Sequence, residues 1–157
     1  MVVAKKSPTK IIRDFCGKPI IAYPLETAKA SGLFDVIHVS TDDDAIARVV
    51  AELGFPVHFM RPDNLSDDAY PTMPVLKSVV DEFAKRGETF VQICLLLPCA
   101  PLVDPDVLKG AAEMFDKAGD HNPVTTITPL PVPVEWTYRK EIDGLLTLLH
   151  PGRFTER

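Results

Sequence analysis

Four cations lie close together near the start of the chain, in a segment that a proline and two hydroxyl residues interrupt. They are Lys5, Lys6, Lys10 and Arg13. Cationic side chains in a loop can bind phosphate groups through charge-assisted hydrogen bonds. A solvated basic tail is the alternative, because runs of charge commonly lie on protein surfaces. The pattern leaves both interpretations open.

Three carboxylates, at residues 42–44, directly follow a β-branched run at residues 36–39. The run predicts a buried strand, and the apolar spacing after the carboxylates predicts a helix up to Gly54. In open α/β sheets, ligands bind at turns that follow the carboxyl ends of strands. The alternative is an acidic helix start, in which the carboxylates complement the helix dipole.

Helical spacing of apolar residues predicts three further helices. The first begins near Pro19, contains Pro24 and ends at Ser31-Gly32. The other two cover residues 73–84 and 105–118. For the last of these, Asp104 is the predicted N-cap and Pro105 occupies the first helical position.

Short apolar runs predict further strands between these helices. The predicted strands are residues 57–60, with His58 at an edge or surface, 90–97 and 124–127. Residues 90–97 are apolar at nearly every position, which is typical of a central parallel strand covered on both faces. A hairpin is predicted near the end of the chain, with strands at 136–138 and 145–149 and a turn at Asp143-Gly144.

Strands that alternate with helices predict an α/β fold with a mostly parallel sheet. Three predicted strands end in polar or proline-containing turns, at residues 40–44, 61–72 and 98–101. Because the carboxyl ends of parallel strands meet at one edge, we expect these turns to border a common ligand crevice.

The chain has 157 residues and a net charge of −5, which predicts a single domain and gives no support for a nucleic-acid surface. No apolar run is long enough to cross a bilayer. Cys16, Cys94 and Cys99 lack metal-ligand spacing, and we interpret them as reduced thiols of a cytoplasmic protein.

Several segments in a fixed order resemble the acylneuraminate cytidylyltransferases. They are Asp-Phe-Cys-Gly-Lys-Pro-Ile-Ile-Ala-Tyr at 14–23, Val-Ser-Thr-Asp-Asp at 39–43, and Arg61-Pro62 followed by Leu65 and Asp67-Asp68. Residues 72–75, 99–102 and 131–136 are most similar to the pseudaminic acid branch of the family. The resemblance extends from about Lys5 to the last residue.

The resemblance implies a Rossmann-like three-layer sandwich of the nucleotide-diphospho-sugar transferase type. The implied activity joins CTP to a nonulosonic acid, such as pseudaminic acid, and releases pyrophosphate with the help of Mg²⁺. A homodimer or higher oligomer is implied for the complete protein, without a nucleic-acid or membrane partner.

The resemblance also suggests roles for individual residues in binding the nucleotide. Lys5 and Lys10 match lysines near the phosphates, and Lys10 is the candidate catalytic residue. Arg61 matches an arginine that contacts cytosine, although a loop arginine paired with Asp63 or Asp67 is the alternative.

The remaining implied contacts lie at the edge of the crevice. Thr72 matches a hydroxyl residue beside the base, with Tyr70 next to it, and Asp68 matches an acid of the same loop. Ser40 is expected to shape the crevice floor together with Thr41 and Asp42. Cys99 and Ala100 match positions that face the sugar, and Cys99 lacks the histidine partner that a nucleophilic thiolate needs.

The sequence departs from the family pattern at three places. The glycine-rich phosphate loop expected between Ala4 and Lys5 is absent, and Ile11 replaces an asparagine that contacts the nucleotide. The family's metal-binding acids and its dimerising region are expected beyond Arg157, so no metal ligand is predicted within these residues. The alternatives are therefore a nucleotide-binding domain without turnover, or a related transferase that uses another nucleotide.

Overall fold

The computed structural model describes the backbone of residues 2–3, 8–66, 71–119, 122–129, 137–142 and 144–149, and the side chains of these ranges from Lys10 onward. The chain forms two compact units, residues 1–122 and residues 123–157. Each unit is described separately below. The prediction that residues 1–157 form one domain stays a prediction.

Five α-helices and six short strands are described. The helices are α1 (Pro8–Ile11), α2 (Ala22–Ser31), α3 (Asp44–Glu52), α4 (Thr72–Lys85) and α5 (Pro105–Ala118), with a 3₁₀ turn at Asp63–Leu65. The strands are β1 (Val2–Val3), β2 (Asp14–Phe15), β3 (Lys18–Pro19), β4 (Val39–Ser40), β5 (Tyr138–Lys140) and β6 (Leu146–Leu148). None of the described helices has the length and apolar character needed to span a bilayer.

Two helices begin at aspartate side-chain caps, and one of these caps, Asp104, was predicted from the sequence. An Asp43 carboxylate oxygen accepts hydrogen bonds from the backbone N–H groups of Ala45, at 2.7 Å, and Ile46, at 3.3 Å, at the start of α3. Asp104 accepts from the N–H of Val107 at 2.9 Å. These bonds satisfy N–H groups that have no partner within the helix. The predicted bounds of α5 are confirmed at both ends.

Helix α2 begins three residues later than the sequence predicts. Strands β2 and β3 pair antiparallel, with Asp14 opposite Pro19, so Pro19 belongs to a hairpin. The turn of this hairpin has positive φ angles, 53° at Cys16 and 93° at Gly17. Helix α2 ends as predicted, at a left-handed Gly32 with φ of 68°.

Strands β1 and β4 form a parallel pair, with Val2 opposite Val39 and Val3 opposite Ser40. This pair confirms a strand within residues 36–40. The other pairs among the described residues are antiparallel. The fold is therefore α/β with small sheets, and the large parallel sheet remains an expectation.

Three predicted strands are wrong for the described residues, because residues 57–60, 90–97 and 124–127 form no ladder there. Residues 90–97 contain a single bridge position, at Leu96. Leu96 is 7% exposed but Val91 is 95% exposed, so this segment is not covered on both faces. An apolar run indicates burial, but a strand also needs a neighbouring backbone, which the run does not specify.

The core of the first unit lies between α2, α3 and β4. It contains the buried side chains Ile11, Ile21, Leu25, Ala28, Val39, Ile46, Val50, Phe55, Leu96 and Leu108. Burial of such aliphatic side chains is the main stabilising contribution to folding. This core holds the end of β4 and the start of α3 in place.

The second unit contains the predicted hairpin, in which β5 pairs antiparallel with β6 and Arg139 lies opposite Thr147. The Glu141 N–H donates to the Leu145 carbonyl at 2.9 Å to close the turn. Trp136 and Asp143 lie outside the described residues.

Candidate functional site

The carboxyl end of β4 is buried and is joined directly to a loop that lies 20 residues further along the chain. Ser40 and Thr41 are both buried. The Thr41 carbonyl accepts a hydrogen bond from the backbone N–H of Arg61 at 2.8 Å. This bond fixes the start of the 61–66 loop beside the strand end.

The side chains of Arg61 and Asp42 form a buried ion pair at the same place. The Nη2 atom of Arg61 donates to Oδ1 of Asp42 at 2.8 Å, and the two side chains are only 4% and 6% exposed. Burial is the largest single influence on the pKa of Asp42 and would raise it, but the hydrogen bond and the charge of Arg61, together with weaker hydrogen bonds, outweigh burial and hold this pKa below its usual value. Asp42 is therefore a carboxylate at neutral pH.

Ser66 connects the far end of the loop to the same carboxylate. Its hydroxyl also lowers the pKa of Asp42 by a hydrogen bond, and its Oγ lies 3.1 Å from the Pro62 carbonyl. The Ser66 N–H donates to the Asp63 carbonyl at 3.1 Å and closes the 3₁₀ turn. Both ends of the loop are thus tied to Asp42.

The three consecutive carboxylates have three different environments. Asp42 pairs with Arg61, Asp43 caps α3, and Asp44 is exposed in the first turn of that helix. The acidic-helix-start interpretation is correct for Asp43 and Asp44, whereas Asp42 belongs to the turn that follows β4. Among the residues described, no group of three or more His, Cys, Asp or Glu side chains could hold a metal ion.

Ser40 has a hydroxyl that the surrounding protein does not satisfy. Its Oγ is buried and has no hydrogen-bond partner in the part of the chain that the structure describes. It lies opposite Val3, at the end of the parallel pair. Buried hydroxyls usually have a partner, so this atom is a candidate contact for a ligand at the strand ends.

The other predicted site residues are distributed over separate elements. Lys10 is exposed in α1, and the neighbouring Ile11 packs in the core, where α1 contacts α3. Thr72 is exposed at the first position of α4. Cys99 is an exposed thiol, and Ala100 is half-buried beside it.

Three predicted site residues, Lys5, Asp68 and Tyr70, lie outside the described residues. Among the described ones, the contacts bring Ser40, Thr41 and Asp42 together with Arg61. No described contact joins Lys10, Thr72 or Cys99 to this group. For Arg61, the partner that the structure shows is Asp42, which the sequence did not indicate.

Sequence reasoning did not identify a second buried polar group, His38, which is 2% exposed. Its ring stacks on Phe59 at 4.4 Å between centroids and meets Phe83 edge-on at 5.4 Å. Its Nδ1 lies 3.4 Å from Nδ1 of the exposed His58. The position of His38 inside the β-branched run was the available signal.

Burial, followed by the charge of His58, lowers the pKa of His38 from 6.5 to about 3. The Nε2 atom of His38 has no hydrogen-bond partner among the described residues. His38 also lines a small cavity of about 60 Å³, together with Val79, Phe83 and Cys94. None of the predicted site residues lines this cavity.

The described residues form an α/β fold with helices and small sheets. It is similar to the solved structure of CMP:2-keto-3-deoxy-manno-octonic acid synthetase complexed with CTP, with a TM-score of 0.56 at 19% identity. That likeness covers 74% of this chain and 46% of the solved chain. At this level of identity it establishes the fold alone.

Residues 5–141 match the sequence model of the family described as cytidylyltransferase, and the chain belongs to this family. It is 38% identical over 112 residues to the pseudaminic acid cytidylyltransferase of Campylobacter jejuni serotype O:2, a match that covers 71% of this chain and 48% of that enzyme. The family resemblance inferred from the sequence motifs is therefore confirmed.

Two further relatives are named for other acids. The chain is 30% identical over 156 residues to the CMP-N,N'-diacetyllegionaminic acid synthase of Legionella pneumophila, covering 98% of this chain and 64% of that enzyme. It is 34% identical over 116 residues to the N-acylneuraminate cytidylyltransferase of Oncorhynchus mykiss, covering 74% and 26%. The chain spans about half the length of the Campylobacter relative.

Proposed function

We propose that this chain belongs to an enzyme that activates a nonulosonic acid with CTP and releases a CMP-sugar and pyrophosphate. The family match supports the nucleotidyl transfer. The 38% identity to a pseudaminic acid cytidylyltransferase supports pseudaminic acid as the substrate. The fold of the CTP-complexed neighbour is compatible with the same chemistry.

In the proposed reaction, a hydroxyl of the sugar attacks the α-phosphorus of CTP and pyrophosphate leaves. The protein must align the two substrates and compensate the phosphate charge. We assign phosphate binding to Lys5 and Lys10, with Lys10 as the catalytic cation. We assign cytosine binding to Arg61. We assign the edge of the base site to Asp68, Tyr70 and Thr72.

The observation that supports this assignment is the group of residues at the end of β4, which contains Ser40, Thr41, Asp42 and Arg61. The buried Asp42–Arg61 pair and the unsatisfied hydroxyl of Ser40 lie where β4 ends. Ligands of open α/β folds bind at such positions. We propose that β1 and β4 belong to the mostly parallel sheet of a three-layer sandwich, and that Cys99 and Ala100 face the sugar.

Three properties of the complete protein are also proposals. Mg²⁺ is expected from the family resemblance, but we assign it to none of the described residues. A homodimer or higher oligomer is expected on the same ground. A cytoplasmic location is supported by the free thiols of Cys16 and Cys99, because exposed thiols are typical of reducing compartments.

A pyrophosphate-release assay on the complete gene product tests this function. We expect release with CTP and pseudaminic acid, dependence on Mg²⁺, and much slower release with UTP. The same assay with legionaminic acid or N-acetylneuraminic acid in place of pseudaminic acid shows which acid gives the fastest release and is therefore the preferred substrate. No release with any of these acids, together with no binding of CTP, would exclude the proposal.

A nucleotide-binding protein without turnover is the second candidate. The observation that favours it is the direct succession of Ala4 and Lys5, where the resemblance implies a glycine-rich phosphate loop, and the family match begins at Lys5. Calorimetric binding of CTP without pyrophosphate release would favour this candidate over the enzyme.

A further inference from the structure

We propose that the outer edge of β6 binds the same edge of a second copy of this chain, so that two β5–β6 hairpins form one continuous antiparallel sheet. This inference goes beyond the proposed function, which expects an oligomer but assigns no surface to it. It depends on three observations: the direction of the backbone groups of β6, the order of the residues along it, and the charges on β5.

Two backbone hydrogen bonds show which residues of β6 and its ends face β5. The Glu141 N–H donates to the Leu145 carbonyl at 2.9 Å, and the Leu149 N–H donates to the Thr137 carbonyl at 2.9 Å. Along an antiparallel ladder, hydrogen-bonded pairs alternate with pairs that are not hydrogen-bonded to each other. The backbone groups of every second residue from Leu145 to Leu149 therefore point toward β5.

The backbone groups of Leu146 and Leu148 point the other way, toward the outer edge of β6. Among the described residues, β6 pairs with β5 alone, so no neighbouring strand covers this edge there. Leu146 is 63% exposed, and the flanking Leu145 and Leu149 are 67% and 41% exposed. An exposed apolar edge of this kind is a template for pairing with another strand.

The order of the residues along β6 matches this strand to a second copy of itself. Residues 145–149 are Leu-Leu-Thr-Leu-Leu, which is the same in both directions from Thr147. Antiparallel pairing around a twofold axis at Thr147 places Leu146 opposite Leu148 of the second copy, and Thr147 opposite its own counterpart. The outward backbone groups of Leu146 and Leu148 then form the hydrogen-bonded pairs, in phase with the ladder inside each hairpin.

Charge makes the other edge of the hairpin unsuitable for the same contact. Strand β5 contains Arg139 and Lys140 and is followed by Glu141, whereas residues 145–149 carry no charge. Pairing of β5 with its own copy around Arg139 would bring two guanidinium groups directly opposite each other, which is destabilising. Pairing of β5 with β6 of another copy would leave an edge unused on each side and continue into an open filament. The β6 edge is therefore the one that forms a closed dimer.

Disulfide cross-linking at the proposed twofold axis tests this arrangement in the complete gene product. The Cα atoms of a non-hydrogen-bonded antiparallel pair lie about 4.5 Å apart, which suits a disulfide bond. Thr147→Cys, oxidised with oxidised glutathione, should therefore give a band at twice the monomer mass on a non-reducing gel. Arg139→Cys is the matched control, because Arg139 lies opposite Thr147 but on β5. It should give no more dimer than wild type, in which Cys16 and Cys99 are also exposed.

A proline variant tests the backbone contacts without adding a thiol. Leu146→Pro removes an N–H that points toward the outer edge and leaves the hydrogen bonds to β5 in place. Both copies lose this donor, so the dissociation constant of the dimer, measured by analytical ultracentrifugation, should rise at least about tenfold. Lys140→Pro is the control, because it removes an outward N–H directly opposite Leu146 on β5. It should leave the dissociation constant unchanged.

Three results would overturn the inference. A monomeric wild type, or no cross-linked dimer from Thr147→Cys, would show that the β6 edges do not meet. An unchanged dissociation constant in Leu146→Pro would show that the dimer uses another surface. An equal rise in Lys140→Pro would show that the integrity of the hairpin, and not the β6 edge, controls assembly. Because neither measurement involves CTP, these outcomes are independent of the pyrophosphate-release test of the proposed function.

Discussion

The residues just before and just after β4 contain two buried ionisable side chains, and the protein stabilises them in opposite ways. His38 lies among aromatic rings, and burial lowers its pKa to about 3, so it is neutral. Asp42 lies against Arg61, which holds its pKa below the usual value, so it is charged. The difference shows that a partner, and not depth alone, decides whether a buried group keeps its charge.

The two environments suit different tasks. Phe59 and Phe83 surround His38 with apolar surface, and Arg86 lies 4.8 Å from the Phe59 ring. This cluster joins α4 to the segment before β4 by packing. The Asp42–Arg61 pair instead fixes a charge and a direction at the end of β4, which is useful for binding a polar ligand.

Removing one member of the ion pair should have the largest effect on stability. Asp42→Ala leaves the Arg61 guanidinium buried without its carboxylate, and we expect the free energy of unfolding to fall by about 3–5 kcal/mol. Urea unfolding at pH 7 measures this loss. Lys77→Ala, which removes a solvent-exposed Lys77–Asp81 pair, is the control and should cost less than about 1 kcal/mol. Equal losses would contradict the contrast between buried and exposed pairs.

His38 should make the stability sensitive to mild acid. The unfolded chain binds a proton at this residue below pH 6.5, whereas the folded chain does so only near pH 3. The free energy of unfolding should therefore decrease as the pH falls through this window, by about 1.6 kcal/mol between pH 6.5 and pH 5.

The variant His38→Phe separates this contribution from that of other groups. Phenylalanine fills the aromatic site and does not titrate, so urea unfolding of this variant should lose most of the dependence between pH 6.5 and pH 5. An unchanged slope would show that His38 is not the group responsible.

The helix caps provide a smaller and more local comparison. Asp43→Ala and Asp104→Ala should each lower the free energy of unfolding by about 1 kcal/mol, because each removes an acceptor for N–H groups at a helix start. Asp43 is adjacent to Asp42, so the smaller loss expected for Asp43→Ala than for Asp42→Ala shows that the two neighbouring carboxylates have different roles. Urea unfolding at pH 7 measures both losses, and an unchanged stability in Asp43→Ala and Asp104→Ala would show that the caps do not contribute.

Local features of the sequence were sufficient to predict α3, α4, α5 and the hairpin near the end of the chain, but not α1, because its residues were predicted to form a loop. The bounds of α5 follow from Asp104, Pro105 and the apolar spacing, all within one segment. The hairpin follows from the glycine turn between two apolar runs. The start of α2 was not predictable in the same way, because Pro19 suits a first helical turn as well as the end of a hairpin.

Contacts between residues that are distant along the chain could not be predicted from the sequence. The Asp42–Arg61 pair joins residues 19 positions apart, and the sequence pattern suggested only the nearby Asp63 and Asp67 as partners for Arg61. The burial of His38 depends on Phe59 and Phe83, which follow it by 21 and 45 positions. The apolar run at 90–97 indicated burial but not which backbone would pair with it.

A double-mutant cycle in the free energy of unfolding tests the central claim most directly, namely that Asp42 and Arg61 act as one charged unit. The cycle compares wild type, Asp42→Asn, Arg61→Gln and the double variant by urea unfolding at pH 7. We predict a coupling of at least about 1.5 kcal/mol, as measured for close charge pairs in buried settings. Losses that add to within about 0.5 kcal/mol would show that the two side chains contribute independently, and would contradict the account.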